Sequence, residues 1–259
     1  IWPAEAKWIN EQFVHDGARL AMAEMIRGGV TCFSDMYFFP NVVARAAHEA
    51  GMRAQIACPI LDFPSAWAAN ADEYIHKAVQ LVDDFRCQER IRIAFGPHAP
   101  YTVSDAPLQR VLTLAEEIDV PIQIHLHETA FEVEDATART GLRPFARLQQ
   151  LGLFGPSLQT VHMTHLTDDE IATLANTGAH VLHCPESNLK LASGFCPVAK
   201  LQDAGVNVAL GTDGAASNND LDMWSEMRTA ALLAKGVSQN PAALPAEAAL
   251  QMATINGAK

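Results

Sequence analysis

Positive charge is scarce in this chain. Its 259 residues carry 18 Lys and Arg against 30 Asp and Glu, a formal net charge of −12. That balance leaves no basic stripe to neutralise a phosphate backbone, so a nucleic-acid polymer is not an expected partner and a small molecule is. The five cysteines, Cys32, Cys58, Cys87, Cys184 and Cys196, include no C-x-x-C pair. They suit buried thiols in a reducing cytosol better than a disulfide framework, so the expected location is cytoplasmic. No segment reads as a signal peptide or a long uncharged apolar run, and neither export nor a membrane is expected. Pro- or Gly-rich linkers, low-complexity tracts and internal repeats are also missing, so residues 1–259 read as one domain. Assembly into a homo-oligomer is compatible with these features. An initiator Met is absent too: the chain opens at "IWPAEAKW" and stops at "ATINGAK", and is expected to be an excerpt, incomplete at both ends.

What is present is an alternation of short apolar runs with longer amphipathic segments. Strands are expected at 29–35, 52–58, 91–97, 121–127, 158–164, 179–184 and 206–212, with helices at 11–27, 41–50, 70–86, 105–119, 143–151, 168–176, 197–204, 220–235 and 245–256. Ser104 and Asp168 stand where capping residues belong. Such alternation implies right-handed βαβ units and a parallel sheet. The expected fold class is α/β, a (β/α)8 barrel of TIM type, lacking its first strand, which would precede residue 1.

The residues able to do chemistry gather at one kind of place. His98 follows the third expected strand, His125 and Glu128 end the fourth, His162 lies in the fifth, His183 in the sixth, and Asp213 closes the seventh. In a parallel barrel these C-terminal strand ends converge on the face that carries active sites. His15, His48 and His76 fall on helices, and His165 and His180 at element edges, where no role follows.

The stretch "IQIHLHE", residues 122–128, leaves two readings open. If the strand continues, His125 and His127 share a face and form an H-x-H metal pair, with Glu128 pointing away. If the strand ends near His127, the turn brings Glu128 round to the side of His125. Asp213, in "VALGTDG", supplies a carboxylate ligand or base beside a glycine that permits a tight turn.

Together "GPHAPYTVS", "IHLHET", "VHMTHL", "HCPESNLKL" and "LGTDGAASNNDLDMWSEMR" resemble the amidohydrolase superfamily, in particular its 5'-methylthioadenosine/S-adenosylhomocysteine deaminases. The resemblance implies that His125 and Asp213 bind a divalent metal, Zn²⁺ or else Fe²⁺. It makes Glu128 the acid/base working on the substrate, Asp213 also the acceptor of a proton from the attacking water, and His162 the residue that orients that water. It places Glu5 on the ribose hydroxyls, His98 on the nucleoside and Ser217 along the pocket. His183 and Asn188 order the loop beside the metal, and His127 packs behind the ligand. The family's H-x-H strand, and the small β-domain built from both termini, are expected outside residues 1–259.

The implied reaction is hydrolytic deamination of the adenine ring of 5'-methylthioadenosine, S-adenosylhomocysteine or adenosine to the inosine analogue and ammonia. Guanine or triazine aminohydrolases and chlorohydrolases are the alternative within the class, and a silent nucleoside-binding protein is the alternative outside it. Some members carry an arginine for the S-adenosylhomocysteine carboxylate where this chain has Cys58. Phe63 and Trp67 of the following "LDFPSAW" loop are candidates to cover a neutral methylthio group.

Overall fold

A computed structural model describes residues 2–259. The chain divides into two compact units, one ending at Gln123 and one running from Ile124 to Lys259. The first comprises α1 (Trp2–Trp8), α2 (Glu11–Arg27), β1 (Cys32–Asp35), α3 (Pro40–Ala50), β2 (Arg53–Ile60), α4 (Ala71–Phe85), β3 (Ile91–Pro97), α5 (Asp105–Ile118) and the start of β4 (Ile122–Leu126). α2 and α4 start where side chains satisfy orphan amides, Asn10 accepting from the N–H of Phe13 and Asn70 from that of Glu73, each at 3.0 Å, whereas the expected cap Ser104 makes no side-chain bond to the start of α5. Its strands pair parallel in chain order, with Cys32 opposite Arg53, Ala54 opposite Ile91 and Phe95 opposite Ile122. From Ile56 to Ile60, β2 is buried without alternation, because helices of βαβ units cover the faces of a parallel sheet. Gly96 is required at this pairing, since a Cβ there would lie 2.9 Å from the carbonyl oxygen of Cys58.

The second unit continues with α6 (Ala130–Thr140), α7 (Pro144–Gln150), β5 (Leu158–His162), α8 (Asp168–Thr177), β6 (His180–His183), α9 (Pro185–Lys190), α10 (Val198–Asp203), β7 (Val208–Leu210), α11 (Met223–Ser238), α12 (Ala246–Met252) and a 3₁₀ turn at Ile255–Ala258. The N–H groups of Met163 and Thr164 donate to the carbonyls of Leu126 and His127, joining the ends of β4 and β5. Thr160 then pairs with Val181 and Leu182 with Ala209, again parallel. Thr167 and Glu170 close a reciprocal capping box at the start of α8. Short parallel strands separated by helices are the α/β class expected, and seven strands are present among the described residues.

The expected strands all exist, trimmed by one to three residues at some ends, while β2 runs two residues past its expected end to Ile60. Three helices were not expected. In α6 the apolar positions are too few for a periodic signal: Phe131 is exposed and only Glu132 and Val133 are buried. The helix is set by its ends instead, a Thr129 cap on the N–H of Glu132 and a left-handed Gly141. α1 and α9 are too short for periodicity to register. All five cysteines are free thiols, with Cys58, Cys184 and Cys196 buried and Cys32 and Cys87 exposed. Among the described residues no helix is long and apolar enough to cross a membrane.

Candidate active site

β4 stops at Leu126, and the backbone of His127 takes a left-handed conformation, φ 52°. A non-glycine residue there leaves the alternation of a strand, so His125 and His127 do not present a common face. The His127 ring is fully buried, stands against Phe145 and accepts the Phe145 N–H on Nε2 at 3.1 Å. Burial lowers its pKa to about 4, so the ring is neutral and occupied with packing. Glu128 comes round instead. Its Oε2 lies 3.9 Å from Nε2 of His162, and the His162 ring stacks on that of His125 with centroids 5.5 Å apart.

His162, the last residue of β5, is almost wholly buried. Its Nδ1 lies 2.9 Å from Oδ1 of Asn188 on α9. An amide oxygen can only accept, so Nδ1 carries the proton and Nε2 is the basic nitrogen facing Glu128. Burial lowers its pKa, against the attraction of Asp213. Asp213 follows β7 with φ 62°. Its Oδ2 accepts the Ser187 hydroxyl and its Oδ1 the N–H of Gly214, both at 2.7 Å. Burial pushes this carboxyl up, but the Ser187 bond, the His162 ring and the Gly214 amide outweigh it and hold it below the ordinary range, as the anion. Burial raises Glu128, the His125 ring opposes that rise, and the Asp213 charge adds to it. The cluster thus pairs a carboxylate kept ionised with a carboxyl biased toward protonation.

The remaining expected residues of this unit are placed differently. Ser217 is buried, and its hydroxyl donates to the carbonyl of Gly214 at 3.1 Å, closing the turn after Asp213. His183 is buried with its Nδ1 unpartnered, and its pKa falls to about 3 through burial. Asn188, expected with His183 to order the loop beside the metal, has its side-chain oxygen on His162. His165 donates from Nε2 to the carbonyl of Ser193.

In the first unit Glu5, on α1, accepts the Tyr37 hydroxyl on Oε1 at 2.8 Å. His98, just past β3, has Nδ1 3.0 Å from the Thr102 hydroxyl oxygen. That hydroxyl donates to the carbonyl of Ala99, so the His98 Nδ1–H is the donor and Nε2 the acceptor nitrogen. Cys58 is fully buried in β2 and brings no charge. Trp67 is buried against Tyr74, centroids 5.6 Å apart, and so is a core residue, whereas Phe63 is partly exposed.

His125 and Asp213 are an imidazole and an ionised carboxylate, the donor chemistry of a zinc or ferrous site. They fit as part of a ligand set. Among the described residues no group of three or more His, Cys, Asp or Glu side chains is arranged to hold a metal ion.

Residues 2–259 match the amidohydrolase family over their whole extent. The chain belongs to the amidohydrolase family. It is 60% identical over 258 residues to a 5-methylthioadenosine/S-adenosylhomocysteine deaminase of Saccharophagus degradans, covering 100% of this chain and 58% of that one. It is 44% identical over 261 residues to a 5'-deoxyadenosine deaminase of Methanothermobacter thermautotrophicus, covering 100% of this chain and 60% of the other. A solved adenosine deaminase of Xanthomonas campestris, with bound zinc, superposes with a TM-score of 0.98 at 54% identity over 99% of this chain and 58% of its own. This amidohydrolase chain thus spans somewhat over half the length of the relatives it matches, and the expected barrel class stands.

Sequence reasoning missed the buried carboxylates Glu132 and Glu226 and the half-buried Asp35. Glu132 accepts two main-chain N–H groups at the end of β4. Glu226 on α11, raised to about 8 by burial, accepts from Asn218 and from the N–H of Glu186. Asp35 ends β1 with an unpartnered Oδ2 and is raised to about 6 by burial. Glu132 had a local signal, the T-x-x-E of "ETAFE". The other two sit in patterns that many surface acids share.

Proposed function

We propose that the protein containing this chain is a metal-dependent deaminase that hydrolyses the amino group from the adenine ring of a small nucleoside, releasing the inosine analogue and ammonia. 5'-Methylthioadenosine, S-adenosylhomocysteine and adenosine are the substrates proposed. The observation that carries the reading is the clustering of chemistry at the ends of β4 and β5, with Glu128 Oε2 3.9 Å from Nε2 of His162 and the His162 ring stacked on His125; the opposite proton bias of Glu128 and Asp213 agrees with it. Hydrolytic displacement of an amine needs a base for the water and an acid for the ring, side by side at one pH.

His125 and Asp213 are the residues proposed to hold the metal, Zn²⁺ as in the Xanthomonas relative, or Fe²⁺. Such an ion when bound supplies Lewis acidity that brings the pKa of a water down toward about 7. Asp213, ionised, takes a proton from the attacking water. His162 orients that water through Nε2, its tautomer set by Asn188. Glu128, biased toward the acid form, delivers a proton to N1 of the ring, so that charge does not build up there as C6 becomes tetrahedral. Glu5 accepts from the ribose hydroxyls and His98 contacts the nucleoside, with Ser217 holding the turn beside Asp213. The residues of 1–259 act as one barrel domain in this reading, and the partner is a small nucleoside.

The test is to incubate the zinc-loaded full-length protein with 5'-methylthioadenosine and follow ammonia release together with the ultraviolet change from adenine to hypoxanthine. Stoichiometric release of both products is expected. Tight nucleoside binding without ammonia would replace the reading with a binding protein, and turnover of guanine or a triazine in preference would move the substrate class.

A further inference from the structure

The turn that presents Glu128 is held from both sides by side chains outside the proposed chemistry. Glu132, buried on the first turn of α6, uses both carboxylate oxygens. Oε1 accepts the His127 N–H at 3.1 Å and Oε2 the Glu128 N–H at 2.8 Å. On the carbonyl side the Thr164 hydroxyl reaches the oxygens of His127 and Glu128 at 2.9 and 2.7 Å, and the Thr164 N–H donates to His127 at 3.0 Å. Main-chain N–H and C=O groups of the same two residues are thus clamped. Between them His127 sits at φ 52°, a conformation that costs a non-glycine residue on the order of 1–3 kcal/mol unless its surroundings impose it.

We infer that Glu132 is a positioning residue for the proposed acid/base: its carboxylate, opposed by Thr164, forces the strand of His125 to break at His127 and thereby turns Glu128 toward His162. Burial raises Glu132 toward the acid form, and the two amides it accepts oppose that rise. The inference rests on the role proposed for Glu128, and its test separates the two.

Glu132→Gln retains one acceptor and presents an amide N–H to the other main-chain N–H. In the zinc-loaded full-length enzyme it is expected to lower kcat about 10–100-fold, the scale of a small misplacement of a reacting group, with KM for the nucleoside nearly unchanged. Amide hydrogen exchange over residues 126–130 is expected to speed up. In a Glu128→Gln background the same substitution is expected to add less than about threefold, because the group it positions is already disabled. Thr164→Val, close in shape, loosens the carbonyl side and is expected to give the same pattern more weakly, which keeps the inference testable if Glu132→Gln folds poorly.

Wild-type kcat in both variants, unchanged exchange, or a full additive loss in the Glu128→Gln background would overturn the inference. Wild-type turnover in Glu128→Gln alone would instead overturn the role of Glu128, and the exchange data would still report whether Glu132 holds the turn.

Discussion

The candidate polar residues of the two units are held differently. In the second, His125, Glu128, His162 and Asp213 lie close enough to shift one another's protonation, and Asn188, Ser187 and the Gly214 amide fix the orientation of His162 and Asp213. In the first, Glu5 is tied to Tyr37 and His98 to Thr102, and both are partly open to solvent. Burial is what sets proton affinity, so a region that moves protons has to hide its acids and bases. A region that grips hydroxyl groups needs acceptors held in place but reachable. The expected consequence is a kinetic division: substitutions in the second unit strike kcat, and those in the first strike KM.

The largest effect is expected at Glu128. Glu128→Gln keeps shape and metal but cannot deliver a proton, and kcat should fall by about 10²–10⁴-fold with little change in KM. Turnover and zinc content measured on the same full-length preparation check this. Full zinc with wild-type kcat would break the division at its strongest point.

Next comes the contrast between two histidines two positions apart. His125→Ala is expected to lose the metal, while His127→Ala is expected to keep it and to lose stability. The second loss arises because the Phe145 N–H would be left buried without its acceptor, at a cost of about 1–3 kcal/mol. Metal analysis and urea unfolding of both variants separate the two roles. Comparable metal loss in both would restore an H-x-H pair and contradict the turn at His127.

Much of this was legible in the chain. Parallel strands stand out as apolar runs because both faces are covered, and the chemistry-bearing residues fall at their ends for the reason that loops there carry function. The two readings of "IQIHLHE" were not separable by pattern, because the deciding groups, Glu132 and Thr164, lie 5 and 37 residues from His127 and act on its backbone. The contact of Asn188 with His162 was not legible for a related cause: the two lie 26 residues apart, and His162 ends β5 with φ 75°. Helix α6 was invisible because its caps define it while its apolar face hardly exists.

Substrate preference sharpens the first-unit side of the comparison. Cys58 is buried and uncharged where an anionic amino-acid tail would need a cation. Arg53 begins β2, five residues or ~17 Å of strand from Cys58, too far to stand in for it. A charge-assisted bond is worth about 1.5–3 kcal/mol, so 5'-methylthioadenosine is expected to exceed S-adenosylhomocysteine in kcat/KM by about tenfold or more. With Trp67 packed in the core, Phe63 is the one of the two loop aromatics still proposed to cover a methylthio group. Competition between the two thioethers on the full-length enzyme tests this, and an equal or reversed preference would require a cation from elsewhere in the protein.

A smaller effect concerns stability and pH. Glu226 is raised by burial to about 8 from an ordinary 4.5. A carboxyl raised in the folded state binds its proton more tightly there, so its stabilising contribution is complete below about 4.5 and disappears as pH rises through about 8. The urea midpoint of the full-length protein is therefore expected to fall between pH 6 and pH 9, and to fall less steeply in Glu226→Gln. The slope is the measurement, since the amide also disturbs the bonds to Asn218 and Glu186. An unchanged slope would show that those two N–H donors keep Glu226 ionised throughout.

The smallest expected effect is at Tyr37. Its hydroxyl donates to one oxygen of Glu5 at 2.8 Å and fixes the direction of the carboxylate without touching the proposed ring chemistry. Tyr37→Phe removes one hydrogen bond to a carboxylate at a partly exposed site, where water replaces much of what a buried charged bond is worth, leaving about 1 kcal/mol or less, a few-fold rise in KM with kcat retained. Glu5→Gln should raise KM further, because the acceptor itself is weakened. If Tyr37→Phe lowered kcat instead, the hydroxyl would have to act on the reacting ring, and the first unit would share the chemistry that its openness to solvent argues against. Steady-state kinetics with 5'-methylthioadenosine and with its 2'-deoxy analogue decide between these. An orienting role through Glu5 predicts that the Tyr37→Phe penalty shrinks for the deoxy substrate, which offers one hydroxyl fewer to grip, whereas a role at the ring predicts the same penalty for both.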